Sequence, residues 1–354
     1  MRAPRAAQLG LVAPEAPLES SAVVLFLLVA CLGARTRERN RDWKDDYTLF
    51  RSAVKVCPRS AKVRYNLANA YRRRGDLARA ADNYRRCLAL YDDFEPARRN
   101  LAVTLTDLGQ GGEAVALLQS ALLKAPGSAS LHNNLGNAYR ALGRIEEAEA
   151  SYRRAASLDP RSPDPHNNLA ALYQARGEME RAEAELLEAL RLSPPSLRIL
   201  SSLGDLYLQR REMGKALEAF EEAVHIDGAS PVARRGLGEA LLGLGRRGQA
   251  ESELHRSLEL DPSQWEAPAL LGYLRQQQGE GEQAERYYLM SLAARPDQPE
   301  LHQNLGVIYA GRPGGKAMAL EHFRRCLELR PPKPTASRVQ RMIEDLESGK
   351  LEGH

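Results

Sequence analysis

The 354-residue chain holds four cysteines, two tryptophans and five phenylalanines. The cysteines make no CxxC pair and sit beside no histidine cluster, which excludes a zinc-finger pattern and a disulfide framework and leaves the redox compartment open. No GxxxxGK[ST], no strand-borne GxGxxG, no GxSxG and no HExxH occurs, so the usual signatures of nucleotide, serine-hydrolase and zinc-protease sites are missing. No N-x-[ST] acceptor is present either. The alternating apolar pattern of strands is absent; helical periodicity runs from about residue 42 to 348. One strongly apolar run, SAVVLFLLVACLGA from Ser21 to Ala34, falls short of the roughly twenty residues that cross a bilayer.

What is present is a period. Leu67, Leu101, Leu135, Leu169, Leu203, Leu237, Leu271 and Leu305 follow one another every 34 residues. That spacing is the mark of tetratricopeptide repeats, in which two antiparallel helices form one unit and units stack. Counted from Ala61, each unit has Leu at position 7, Gly or Ala at 8, Gly near 15, Ala at 20, an aromatic residue or Leu at 24, a small residue at 27 and usually Pro at 32. The third unit shows the set as Leu135, Gly136, Tyr139, Gly143, Ala148, Tyr152, Ala155 and Pro160. Small residues at 8, 20 and 27 let the helices approach closely; Gly143 reverses the chain without a Cβ penalty, and Pro160 stops the second helix. The eighth unit carries one extra residue in the loop from Gly311 to Gly315.

The expected architecture is all-α: a tetratricopeptide-repeat right-handed superhelix of eight repeats over 61–332, with an N-terminal half-repeat and a C-terminal capping helix. Residues 1–20 read as a disordered leader, 21–34 as a short hydrophobic helix, and 35–60 as a basic junction whose Phe50, Ala53 and Pro58 align with positions 24, 27 and 32. Val339, Met342, Ile343 and Leu346 give 333–348 the pattern of a solvating cap, and 349–354 are a tail. Residues 35–74 hold thirteen Lys or Arg against four acids, although the net charge is only +4. A basic tract beside an apolar run points to a membrane surface rather than to nucleic acid. The run itself can be a secretory core, a helix packed on the first repeats, or part of a transmembrane helix.

Solenoids of this kind bind polypeptide, and the candidate groove residues follow from position. Asparagine recurs at position 6 as Asn66, Asn100, Asn134, Asn168 and Asn304, and a carboxamide can grip the peptide unit of an extended chain. The alternative is that this amide is satisfied locally. Positions 2, 5, 9, 12 and 13 add Lys62, Tyr65, Asn69, Arg72, Arg73, Arg99, Asn133, Asn137 and Arg140, and later Asp164, Asn167, Asp205, Glu239 and Glu266. The set passes from basic to acidic along the chain, which would make binding salt-sensitive; the alternative is scattered solvated charge. Tyr65 at position 5 and Val103 at position 9 do not fit a chaperone-tail clamp. His132, His166 and His302 all fall at position 4, about a helix-packing distance or more apart, too far to share a metal or a proton. Cys57, Cys87 and Cys326 read as small buried residues. No catalytic residue and no metal ligand is assigned.

The junction ARTRERNRDWKDDYTLFRSAVKVCPRSAKVRYNLANAY, with its RNRDW stretch from Arg39 to Trp43, Leu49 and Phe50, the tripeptide Val56 to Pro58, and Ala61 and Lys62, resembles that of the transmembrane O-mannosyltransferases with tetratricopeptide repeats, the TMTC family. The resemblance implies a protein of the endoplasmic reticulum membrane with lumenal repeats, linked to O-mannosylation of cadherins from dolichyl-phosphate mannose. That donor belongs to a membrane half which this chain, expected to be the repeat half alone, does not supply. Arg35, Arg37, Arg39, Arg41 and Trp43 then become anchors of the membrane junction. Those arginines would by themselves favour cytosolic repeats, so the family and the positive-inside rule disagree on the side.

Overall fold

A computed structural model describes residues 43–349. The leader, the apolar run, and Arg35, Arg37, Arg39 and Arg41 lie outside the described residues. Eighteen helices and no strand are found among those described, from Asp46–Val56 to Lys333–Glu347. The chain divides into two compact units, 1–148 and 149–354. In the first, the half-repeat helix Asp46–Val56 is followed by the pairs Ala61–Arg73 with Leu77–Leu90 and Glu95–Asp107 with Gly111–Lys124, then Ala129–Ala141; the boundary falls within Ile145–Leu158. The second continues with Pro163–Ala175 and Met179–Leu192, Leu197–Gln209 and Met213–Ile226, Pro231–Gly243 and Arg247–Leu260, Glu266–Gln277 and Gly281–Ala294, Pro299–Ala310 and Lys316–Glu328, and the last helix.

Local chemistry sets these ends. Ser60, Ser128, Ser196 and Ser230 each accept a backbone N–H with the side-chain oxygen at a first-helix N-cap, and Asp45 and Thr48 form a reciprocal capping box. Between the helices of a pair the chain turns through a left-handed residue, Gly in most repeats but Arg211 (φ 58°) in the fifth. In the eighth repeat that role falls to Gly314.

The small positions are small for a steric reason. A Cβ on Gly272 would lie 2.6 Å from the Tyr288 ring, and one on Gly306 would lie 2.4 Å from the Phe323 ring. The alanines at position 20, such as Ala80, Ala182 and Ala284, are fully buried. The last helix buries Val339, Ile343 and Leu346 against Phe323 and Cys326, with Met342 partly covered. Cys87 and Cys326 are buried as expected, and burial pushes the Cys326 thiol up to about 11. Cys57 is exposed, contrary to expectation: it lies at the C-cap of Asp46–Val56, a helix with no buried residue.

Successive repeats of the second unit are joined by a recurring polar clamp. Glu149 accepts hydrogen bonds from the Tyr173 hydroxyl (2.9 Å) and Arg176 (2.7 Å) of the next repeat. Glu183 does the same with Tyr207 and Arg210, and Glu285 with Tyr309 and Arg312. These are positions 21, 11 and 14. Burial raises the Glu149 carboxyl, but the Tyr173 hydroxyl, Arg153 and Arg176 outweigh it and hold the group below the usual range. Glu285 is lowered in the same way, and Tyr207 and Tyr309 are pushed up to about 12 by burial and by the carboxylates they face.

Candidate functional site

Position 6 asparagines have different neighbours. In the first unit Asn100 donates through Nδ2 to Asn69 Oδ1 (3.1 Å) and to the Tyr65 hydroxyl (3.3 Å), and the Tyr84 hydroxyl donates to Asn69 Oδ1 (2.5 Å). Tyr65, Asn69 and Asn100 are therefore brought together, and Tyr65 also packs edge-on to Phe94 with ring centres 5.1 Å apart. Asn134 Nδ2 is buried with no hydrogen-bond partner among the described residues, and Asn66 is partly exposed. Asn133 and Asn137 interact with neighbouring groups. Lys62, Arg72, Arg73, Arg99 and Arg140 are all exposed, with Arg73 paired to Asp46. Trp43 is 72% exposed.

In the second unit Asn168 also interacts with its surroundings, and Asn304 donates to the Tyr288 hydroxyl at 3.3 Å. His166 Nδ1 lies 2.7 Å from Glu185. His302 has a partner that position counting missed: its Nδ1 is 2.9 Å from His322 Nδ1, and the His322 ring stacks on Tyr309. Burial lowers both histidines. Among the described residues no group of three or more metal-ligating side chains is assembled, and no helix is long and apolar enough to cross a membrane.

The acidic residues of the fifth to seventh repeats converge on a cleft of about 550 Å³ within the second unit. Asp205 comes from Leu197–Gln209, Glu239 from Pro231–Gly243, and Glu266 from the first turn of Glu266–Gln277. Leu208, Leu270 and Trp265 supply apolar wall, and Arg235 lies among the carboxylates, 3.1 Å from Glu239 and 3.6 Å from Asp205. About two-fifths of the Asp205 and Glu239 side chains is accessible, yet the cleft walls strip enough water to raise both carboxyls. Arg235 opposes that rise and Glu266 adds to it, with Asp205 adding further at Glu239. Position alone pointed to the three acids. Arg235 at position 5 and Trp265 at position 1 were missed, although extending the position 5 reading beyond the third repeat would have found the arginine.

Residues 36–261 match the family model of the cilia and flagella-associated protein 70 C-terminal domain. The chain belongs to that family. Residues 235–299 also match a tetratricopeptide-repeat model. The TMTC resemblance is carried by curated relatives. Mouse protein O-mannosyl-transferase TMTC1 is 36% identical over 93 residues, covering 26% of this chain and 10% of that protein. Mouse TMTC3 is 28% identical over 133 residues, covering 34% of this chain and 14% of that protein. The matched stretch thus spans only about a tenth of the TMTC1 sequence. Among solved structures, the anaphase-promoting complex hetero-tetramer Cut9-Hcn1 superposes with a TM-score of 0.65 at 16% identity, over 83% of this chain and 57% of that one, a likeness of fold.

Proposed function

We propose that the chain is a scaffold that binds extended polypeptide at the inner-face positions of its repeats, as the lumenal repeat region of a TMTC-type O-mannosylation system at the endoplasmic reticulum membrane. The observation that carries polypeptide binding is the cleft of the second unit, where positions 9, 12 and 13 of the fifth repeat meet positions 5 and 9 of the sixth and positions 1, 2, 5 and 6 of the seventh around a volume suited to a ligand. The TMTC1 and TMTC3 relatives supply the setting. On this reading dolichyl-phosphate mannose is used elsewhere in such a system, no residue here handles it, and Trp43 with the preceding arginines anchors the junction at the headgroup level. The asparagines offer the acceptors and donors left over from their local bonds to the peptide backbone.

Protease protection in microsomes tests the setting: repeats resistant until detergent is added support it, and repeats digested in intact vesicles remove it. Changing Asn66, Asn100, Asn134 and Asn168 to Ala should weaken capture of an unfolded polypeptide, and unchanged affinity removes the asparagines from the site. A second reading, a protein-binding adaptor with no glycosylation role, is favoured by the long match to a domain named for a ciliary and flagellar protein. Digestion in intact microsomes together with retained polypeptide binding would select it.

A further inference from the structure

Partly buried carboxylates of the second unit are in general neutralised by neighbours. Glu149 faces Arg153, Arg176 and Arg181; Glu183 faces Arg210 and Lys215; Glu285 faces Arg312. The cleft departs from this pattern. It gathers three carboxylates around the single guanidinium of Arg235, whose side chain is only 16% exposed, and Glu266 has no ion pair among the described residues. Arg235 reaches one oxygen each of Asp205 and Glu239, so the second oxygen of both remains for another donor.

A further observation separates this from an ordinary solvated acidic face. The cleft has an apolar side formed by Leu208, Leu270 and Trp265. Arg295 lies over the indole at 4.7 Å but does not line the cleft, so it does not fill the space.

We propose that the cleft receives the side chain of an arginine in the bound polypeptide, its guanidinium between Asp205, Glu239 and Glu266 and its methylene stem against Trp265 and the two leucines. This rests on the polypeptide-binding reading and names what that polypeptide must carry. An organic cation with an apolar stem matches both sides of the cleft, whereas a bare divalent ion would sit against Arg235 without apolar contact. Arginine is favoured over lysine because its planar fork can meet two carboxylates at once, with the stem lying on apolar surface.

The test uses the full chain with Trp43→Phe, leaving Trp265 as the one emitting indole. Its ligands are capped Ala/Ser/Gly peptides of about fifteen residues, long enough to run past several repeats, with a single central arginine or its uncharged isostere citrulline. The arginine peptide should perturb Trp265 emission and bind about tenfold more tightly than the citrulline peptide. Glu239→Gln and Asp205→Asn, each with an unchanged circular dichroism spectrum, should abolish most of that preference. Equal binding of the two peptides, or a preference that survives both substitutions, overturns the arginine cleft while leaving a polypeptide scaffold. Failure of the unsubstituted cleft to bind either peptide overturns both.

Discussion

At the junctions between repeats, residues 1–148 carry Ala81 and Leu105, then Val115 and Tyr139, at positions 21 and 11, all four buried. In residues 149–354 the same two positions carry Glu149 and Tyr173, Glu183 and Tyr207, Glu251 and Arg275, and Glu285 and Tyr309, each pair directly bonded. Leu217 and Leu241 are the apolar exception in this second unit. Every carboxylate at 21 meets a hydroxyl or guanidinium at 11, whereas the Tyr139 hydroxyl, opposite Val115, accepts from Gln119 instead. One fold therefore tolerates two chemistries at one junction. The apolar version depends on area removed from water, while the polar version depends on every member being present.

The largest expected effect breaks a clamp. Glu183→Ala removes the acceptor shared by Tyr207 and Arg210 and should destabilise its repeat by about 3 kcal/mol, since a partly buried donor set loses its anion. Glu183→Leu combined with Tyr207→Leu copies the Leu217 and Leu241 pair and leaves Arg210 with Glu212, 2.7 Å away. That double variant should return to within about 1 kcal/mol of the parent. Urea-dependent hydrogen exchange over residues 179–226 measures both. A double variant as unstable as the single one would show that the polar and apolar junctions are not interchangeable.

Acid should separate the units next. His302 and His322 have folded-state pKa values lowered by burial, so above about pH 6.5 neither state carries the charge and no stability depends on them. As pH falls through that value the unfolded chain takes up protons first, and stability drops. Glu149 and Glu285 act further down: held below the usual range when folded, they contribute stability above about pH 4.3 and lose it as pH falls through their folded values. Asp205 and Glu239 have the opposite sign, because their raised carboxyls take up a proton in the folded state first. In the first unit, Asp45 and Asp92 are lowered but solvent-exposed and contribute little. Exchange corrected for intrinsic rate should show protection lost in Lys316–Glu328 between about pH 7.5 and about pH 5.5; His322→Gln should reduce that loss, and His302→Gln together with it should remove it. Equal loss at Ala61–Arg73 would break the comparison.

The stack of helix pairs was legible because one period carries it: the leucines, the small residues and the turn glycines each answer to a packing demand repeated every 34 residues. The clamps were not legible. Glu149 on a single helix reads as a solvated charge, and only the neighbouring repeat supplies Tyr173 and Arg176. The acids of the cleft were visible by position, but their convergence around Arg235 depends on how three first helices lie together. Counting position 4 histidines placed His302 among residues too distant to touch it, while its partner His322 stands on the second helix of the same repeat. Periodic demands within a unit can be read along the chain; pairings between elements follow from three-dimensional register.

The smallest expected effect concerns the turn. The first unit makes its inter-helix turns with Gly75, Gly109 and Gly143, at φ near 70–77°, and the second places Arg211 at φ 58° in the equivalent position of the fifth repeat. A side chain with a Cβ in that region is strained by about 1 kcal/mol or somewhat more, and glycine removes the strain at the expense of a floppier unfolded chain. Arg211→Gly should therefore gain only about 0.5 kcal/mol net, whereas Gly75→Ala should lose about 1 kcal/mol, although a Cβ there would meet no atom within 4 Å. Differential urea unfolding of the two variants reads the signs. A stabilised Gly75→Ala would mean that the left-handed turn is not what fixes the first helix pair, and the turn would cease to be common ground between the units.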